Sequence, residues 1–151
     1  MSSSARRIHV KGPYRQEEAK AAEAGIYPGM LCELDSDGYL IKHDDEGGAL
    51  GDEVLIAMED ALRGRNVSTV YASGDIVTYM IPQKGCVANV LIEAGQDIAV
   101  ADKVCSSGNG CLIETTEIGS DESLAAVVGM SQEDLDLSAT GAVNTLGQVR
   151  F

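Results

Sequence analysis

The chain has 151 residues, of which 44% are apolar, enough for one buried core, with no second independent domain expected. It has no Trp, one Phe and 17 Gly, so that core must be built from aliphatic residues on short segments joined by glycine turns. A formal net charge of -13 argues against a nucleic-acid partner, because cationic neutralisation of phosphates supplies most of such affinity.

The charge is uneven along the chain. Residues 1–20 carry Arg6, Arg7, Lys11, Arg15 and Lys20 against Glu17 and Glu18, a net +3 that leaves -16 on the remainder. Residues 1–15 read as an extended basic arm punctuated by Gly12-Pro13, and residues 16–151 as a single β-rich domain. The opening "MSSSARRIHVKG" has no apolar stretch behind its charges, so no secretory leader is expected, and no window approaches a membrane span. A soluble protein made in a cytoplasm is the expectation.

In chain order, "QEEAKAAEA" at 16–24 has strong helix formers and predicts one or two helical turns ended by Gly25. Met30–Leu34 and Tyr39–Lys42 flank "DSDG", the signature of a hairpin, and "HDDEGGALGDE" follows as an acidic loop. In residues 53–63, "EVLIAMEDALR", Val54, Leu55, Met58, Ala61 and Leu62 fall at helical spacing, while Val54–Met58 fits a buried strand equally. Strands are expected at Ile76–Ile81, closed by Pro82, and at Cys86–Ile92. Two short strands are expected around the Gly-Asn-Gly turn of "DKVCSSGNGCLIET", with others at Leu124–Met130 and Gly147–Phe151. About eight strands at such spacing predict a small β-barrel or sandwich, and "SQEDLDLSATGAVN" reads as a polar connection before the last of them.

The chemical inventory is thin. His9 lies in the basic arm, and His43 stands beside Asp44 and Asp45 in the acidic loop, a weak candidate for a metal ligand and more simply a solvated turn. Cys32, Cys86, Cys105 and Cys111 form no Cys-x-x-Cys pair and read as small buried hydrophobes, although Cys105 and Cys111 flank one hairpin turn. The glycine-rich stretches lack the strand, Lys and Ser or Thr of a phosphate loop. "AGQDIAVADKV" is similar to the turn phrases of lipoyl and biotinyl carrier domains, which makes Lys103 the candidate modified lysine of an alternative binding or carrier module.

Taken in order, "VKGP", an alanine-rich turn leading into "GIYPGMLCELDSDGYLIKH", "IAMEDALRG" and "VYASGDIVTYMIPQKGCVANVLIEAGQDIAVADKVCSSGNGCL" resemble the capsid decoration (cement) proteins of tailed bacteriophages. The resemblance runs over about residues 8 to 130, and "GAVNTLGQVRF" fits the family's closing strand loosely. It implies a mainly β domain of the β-tulip kind that forms a homotrimer on the outer surface of the expanded capsid and clamps neighbouring major capsid subunits. No catalysis, cofactor, metal, nucleic acid or membrane is implied. On this expectation the arm adds a strand to a neighbouring sheet edge, with Arg6, Arg7, Ile8, Val10, Lys11 and Tyr14 in contact with the capsid and Ile8 and Val10 as apolar anchors. Deletion of residues 1–14 is then expected to abolish capsid binding while leaving the trimer folded.

Overall fold

The computed structural model describes residues 7–48, 50, 53–115 and 126–151. Thirteen β-strands lie among them, and the helical element with described bounds is a single 3-10 turn at Ala61–Arg63. The fold is mainly β, as expected from the closely spaced turn signals.

The organising element is a long antiparallel ribbon that bends from one sheet into another. Its first limb comprises β1 (His9–Lys11) and β2 (Tyr14–Lys20), interrupted at Gly12-Pro13. Strands β3 (Leu31–Leu34), β4 (Leu40–Lys42) and β5 (Leu55–Ala57) follow, and the second limb comprises β6 (Ile76–Pro82) and β7 (Val87–Ile92). β2 pairs with β6 in unbroken register from Tyr14 opposite Pro82 to Lys20 opposite Ile76. β1 pairs with β7, His9 opposite Ala88 and Lys11 opposite Val87, with a bulge between the two positions.

The bend depends on glycine and proline. Gly12 has φ of 89°, and a Cβ there would stand 2.8 Å from both the Cys86 Cα and the Gly85 carbonyl oxygen. Pro13 has no N–H to satisfy, and its carbonyl accepts the Gln83 N–H at 3.1 Å. The two limbs therefore turn the same corner in backbone contact.

On one side of the corner, β7 enters a closed barrel with β8 (Asp97–Ile98) nearby and β9 (Lys103–Ser106), β10 (Leu112–Glu114), β11 (Gly129–Ser131), β12 (Leu135–Asp136) and β13 (Thr145–Arg150) following in sequence. The ring runs β7-β10-β9-β11-β13 and closes because β13 pairs along the whole of β7, Thr145 opposite Ile92 through Arg150 opposite Val87. Closure removes edges that would otherwise template other strands. β8 and β12 form a separate two-stranded ladder. Ile8, Ala88, Val90, Ile92, Val104, Leu112 and Val149 are among the residues filling the barrel core.

On the other side, the second sheet has the order β2-β6-β5-β3-β4, and an Ala21–Leu40 bridge joins its two ends beyond β2. Its core includes Ile26, Met30, Cys32, Leu40, Tyr71, Val77 and Tyr79. Tyr71 is fully enclosed and donates its hydroxyl to the Met58 carbonyl at 2.6 Å, so its polar tip is satisfied.

One expectation is corrected here. Residues 16–20 of "QEEAKAAEA" are strand, because pairing of all seven β2 residues with β6 outweighs a helix propensity worth only tenths of a kcal/mol per residue. Of the two readings of 53–63, the buried strand holds: β5 occupies Leu55–Ala57 within residues 54–58, and a 3-10 turn follows, held by the Asp60 side chain and ended by left-handed Gly64. The "DSDG" hairpin is present, with Asp35 Oδ1 accepting the N–H groups of Asp37 and Tyr39. Part of the expected strand Leu124–Met130 falls outside the described residues, and its end is β11. The polar connection before the last strand contains β12.

The corner sets a prediction. Gly38 also has positive φ, at 81°, but nothing lies within 4 Å of its would-be Cβ. Gly38→Ala is expected to cost about 1 kcal/mol from backbone strain alone, whereas Gly12→Ala is expected to cost more than about 3 kcal/mol because backbone must move as well. Urea unfolding of the two variants measures the difference; equal costs would show that the corner yields freely.

Candidate functional site

The chemistry-bearing side chains flagged by the sequence are used inside the fold. His43 is buried, contrary to its expected place in a solvated acidic loop, and its Nδ1 lies 2.7 Å from the Ser106 hydroxyl. Its backbone N–H donates to Leu31 and its carbonyl accepts from Gly110, so it joins β3, the end of β4 and the turn before β10. Among the described residues, no three His, Cys, Asp or Glu side chains are grouped to hold a metal ion. All four cysteines are free and buried, Cys105 and Cys111 included. Burial lifts the Cys32 thiol from 9.0 to about 12 and those of Cys105 and Cys111 to about 11, because a thiolate is poorly solvated there.

Lys103 opens β9 and is exposed, registered opposite Met130 of β11. It therefore stands within a sheet ladder and not at the tip of a hairpin, as the carrier-domain comparison expected.

The N-terminal segment is part of the body. Ile8, expected as an apolar anchor on a partner, is completely buried in the barrel core of its own chain. Its N–H donates to the Glu59 carboxylate at 3.0 Å, and its carbonyl accepts the Asn89 N–H at 2.7 Å. The Asn89 side-chain amide donates to the Arg7 carbonyl, also at 2.7 Å. His9 Nε2 donates to the Gly12 carbonyl, and its ring packs on Tyr14 with centroids 4.3 Å apart. Tyr14 is half-buried against the core, whereas Arg7, Val10 and Lys11 are exposed. Arg6 lies outside the described residues. The segment is extended, as expected, but its strands are used within the same chain. Removal of residues 1–14 would thus take out a core side chain and an entire ladder, correcting the expectation that the body would fold without them.

The outer edge of β2 is studded with Arg15, Gln16, Glu17, Glu18 and Lys20, mixed charges of the kind that discourages strand addition. Arg15 pairs with Glu53, Arg63 with Asp60 and Arg65 with Asp75; these are the ion pairs among the described residues. Lys11, Lys103 and Arg150 take part in none of them.

Those three cations share one band of the barrel exterior. Met130 stands opposite Lys103 on one side and opposite Arg150 on the other. Arg150 in turn stands opposite Val87, whose other neighbour is Lys11. Directly registered residues project from the same face of a sheet, and neighbouring strands are about 4.8 Å apart. The sequence reading named Lys11 for another role and missed Met130 and Arg150, because three strands distant in sequence meet there only through register.

No protein-family model and no curated protein sequence matches the chain. Among solved structures it is similar to the N base of the head fibre gp8.5 of bacteriophage phi29, with a TM-score of 0.53 and 13% identity. The match covers 92% of this chain and 94% of that one. At that identity the likeness is one of fold, and it extends over nearly both chains. The fold defines a mainly β class with a closed barrel fused to a second sheet.

Because Ile8 is core and Arg7 is surface, Ile8→Ala is expected to destabilise the chain by about 2–5 kcal/mol, and Arg7→Ala by less than about 0.5 kcal/mol. Thermal and urea unfolding test this; an Ile8→Ala variant as stable as the parent would mean that the N-terminal strand is not bound to the barrel in solution.

Proposed function

We propose that this chain is a structural protein of a phage head, a decoration protein of the β-tulip kind that binds the outer surface of the expanded capsid as a homotrimer and clamps neighbouring major capsid subunits. The observation that carries the reading is the end-to-end fold likeness to the head-fibre base of phi29, a protein named for its place on a phage head. The ordered phrases from "VKGP" to "GNGCL" support it independently.

The physical properties of the chain suit this role. A clamp works through many symmetry-related contacts, so that avidity exceeds the strength of each contact and no reactive group is called for. A closed barrel with a mixed-charge edge limits adventitious strand pairing in a crowded shell. The acidic body keeps neighbouring copies soluble. Its partner is the major capsid protein, with neither nucleic acid nor membrane involved, and the protein functions in the virion after assembly in the host cytoplasm. Of the arm residues, Arg7, Val10 and Lys11 retain exposed side chains for capsid contact, with Arg6 beyond the described segment.

Purified protein is expected to sediment with expanded heads lacking it, and to be trimeric by native mass spectrometry. A monomer that stays in the supernatant at saturating concentration would overturn the reading.

A further inference from the structure

The strand register gathers Lys103, Met130, Arg150 and Lys11 into one band, broken between Arg150 and Lys11 by the buried Val87. Its three cations lie on three different strands, all exposed, and among the described residues none of them is in an ion pair. Met130, 40% exposed, lies between Lys103 and Arg150.

The nearby acids in sequence are otherwise engaged. Asp102 accepts the Ala99 N–H, Asp134 accepts the Val100 N–H, and Glu133 accepts the Gln148 N–H. These carboxylates keep their charge but are directed at backbone N–H groups, and none of them pairs with Lys103, Arg150 or Lys11 among the described residues.

We propose that this band is the docking surface for a carboxylate-bearing strip on the major capsid protein. The inference rests on the head-protein reading above and assigns it a face. Lys103 and Arg150 are two strands apart, about 10 Å, and Lys11 about 10 Å further. Three cations at that spacing match acidic side chains along one partner surface, and Met130 supplies the apolar contact between them. Charge complementarity of this kind sets orientation and encounter rate. Nucleic acid and a second copy of this chain are the other occupants, and the test below separates them.

The test compares Arg150→Glu with Lys20→Glu, two reversals of equal charge on different sheets, using full-length chain and expanded heads free of it. Both should keep the parent's circular dichroism and melting temperature, since both side chains are exposed. Arg150→Glu is expected to lower affinity for heads about ten-fold or more near 100 mM salt and to flatten its salt dependence, with Lys20→Glu within about two-fold of the parent. A Lys103→Gln variant is expected to bind heads more weakly with the fold unchanged, which covers the case in which Arg150→Glu fails to fold. If the parent binds heads and the Arg150 and Lys103 variants bind equally well, the band is not the docking face and the head-protein reading survives. If the parent binds no heads, both fall. If Arg150→Glu instead changes the oligomeric mass, the band is an interface between copies and the proposal is overturned. Retention of the parent on DNA-cellulose, abolished by Arg150→Glu, would overturn it too.

Discussion

The bent ribbon is the constraint on which the rest of the structure depends. β1 and β2 run against β7 and β6, and the two limbs turn together where Gly12 lies on Gly85 and Cys86. Without that corner β7 would not reach the barrel while β6 remained in the second sheet. β7 is nearly continuously buried, as a strand covered on both faces must be. Ala88, Val90 and Ile92 fill the barrel, and Leu91 packs against the second core. The Leu91 N–H donates to the Gly29 carbonyl, tying β7 to the segment before β3. The barrel is closed by β13 on the same strand. One strand thus transmits the geometry of either sheet to the other, and the N-terminal segment is part of that framework.

This placement changes the role of the basic N-terminus. A stretch such as "RRIHVKGPYR" has the charge of an arm reaching for a partner and the β-propensity of a strand. Composition does not distinguish pairing within a chain from pairing between chains, because backbone ladders are the same in both cases. The structure distinguishes them through Ile8, which is enclosed by its own barrel, and through Asn89, which holds the Arg7 and Ile8 carbonyls. The cationic residues of the segment remain outside, where Lys11 continues a band begun by Lys103 and Arg150.

The legible parts of the fold were those encoded locally. The Asp35 side chain and Gly38 make the "DSDG" hairpin from four consecutive residues, and the mainly aliphatic run at 87–92 marks a strand buried along nearly its whole length. What was illegible depended on distant partners. Helix-forming residues at 16–20 become strand because β6 supplies seven paired positions, a gain invisible in the segment itself. His43 looks solvated beside two aspartates, yet Ser106, 63 residues away, takes it into the interior. The cationic band is the extreme case, since no window of sequence contains two of its members. Its one sequence signal was the ordinary alternation of exposed and buried residues in β13, which places Arg150 outside and Val149 inside.

The central claim is that the folded, ribbon-braced body binds the outside of a phage head. Cryo-electron microscopy of expanded heads mixed with saturating protein tests it most directly. The account predicts added density at three-fold and quasi-three-fold positions, with the barrel face bearing Lys103 and Arg150 toward the shell. Heads that stay bare under those conditions would contradict it.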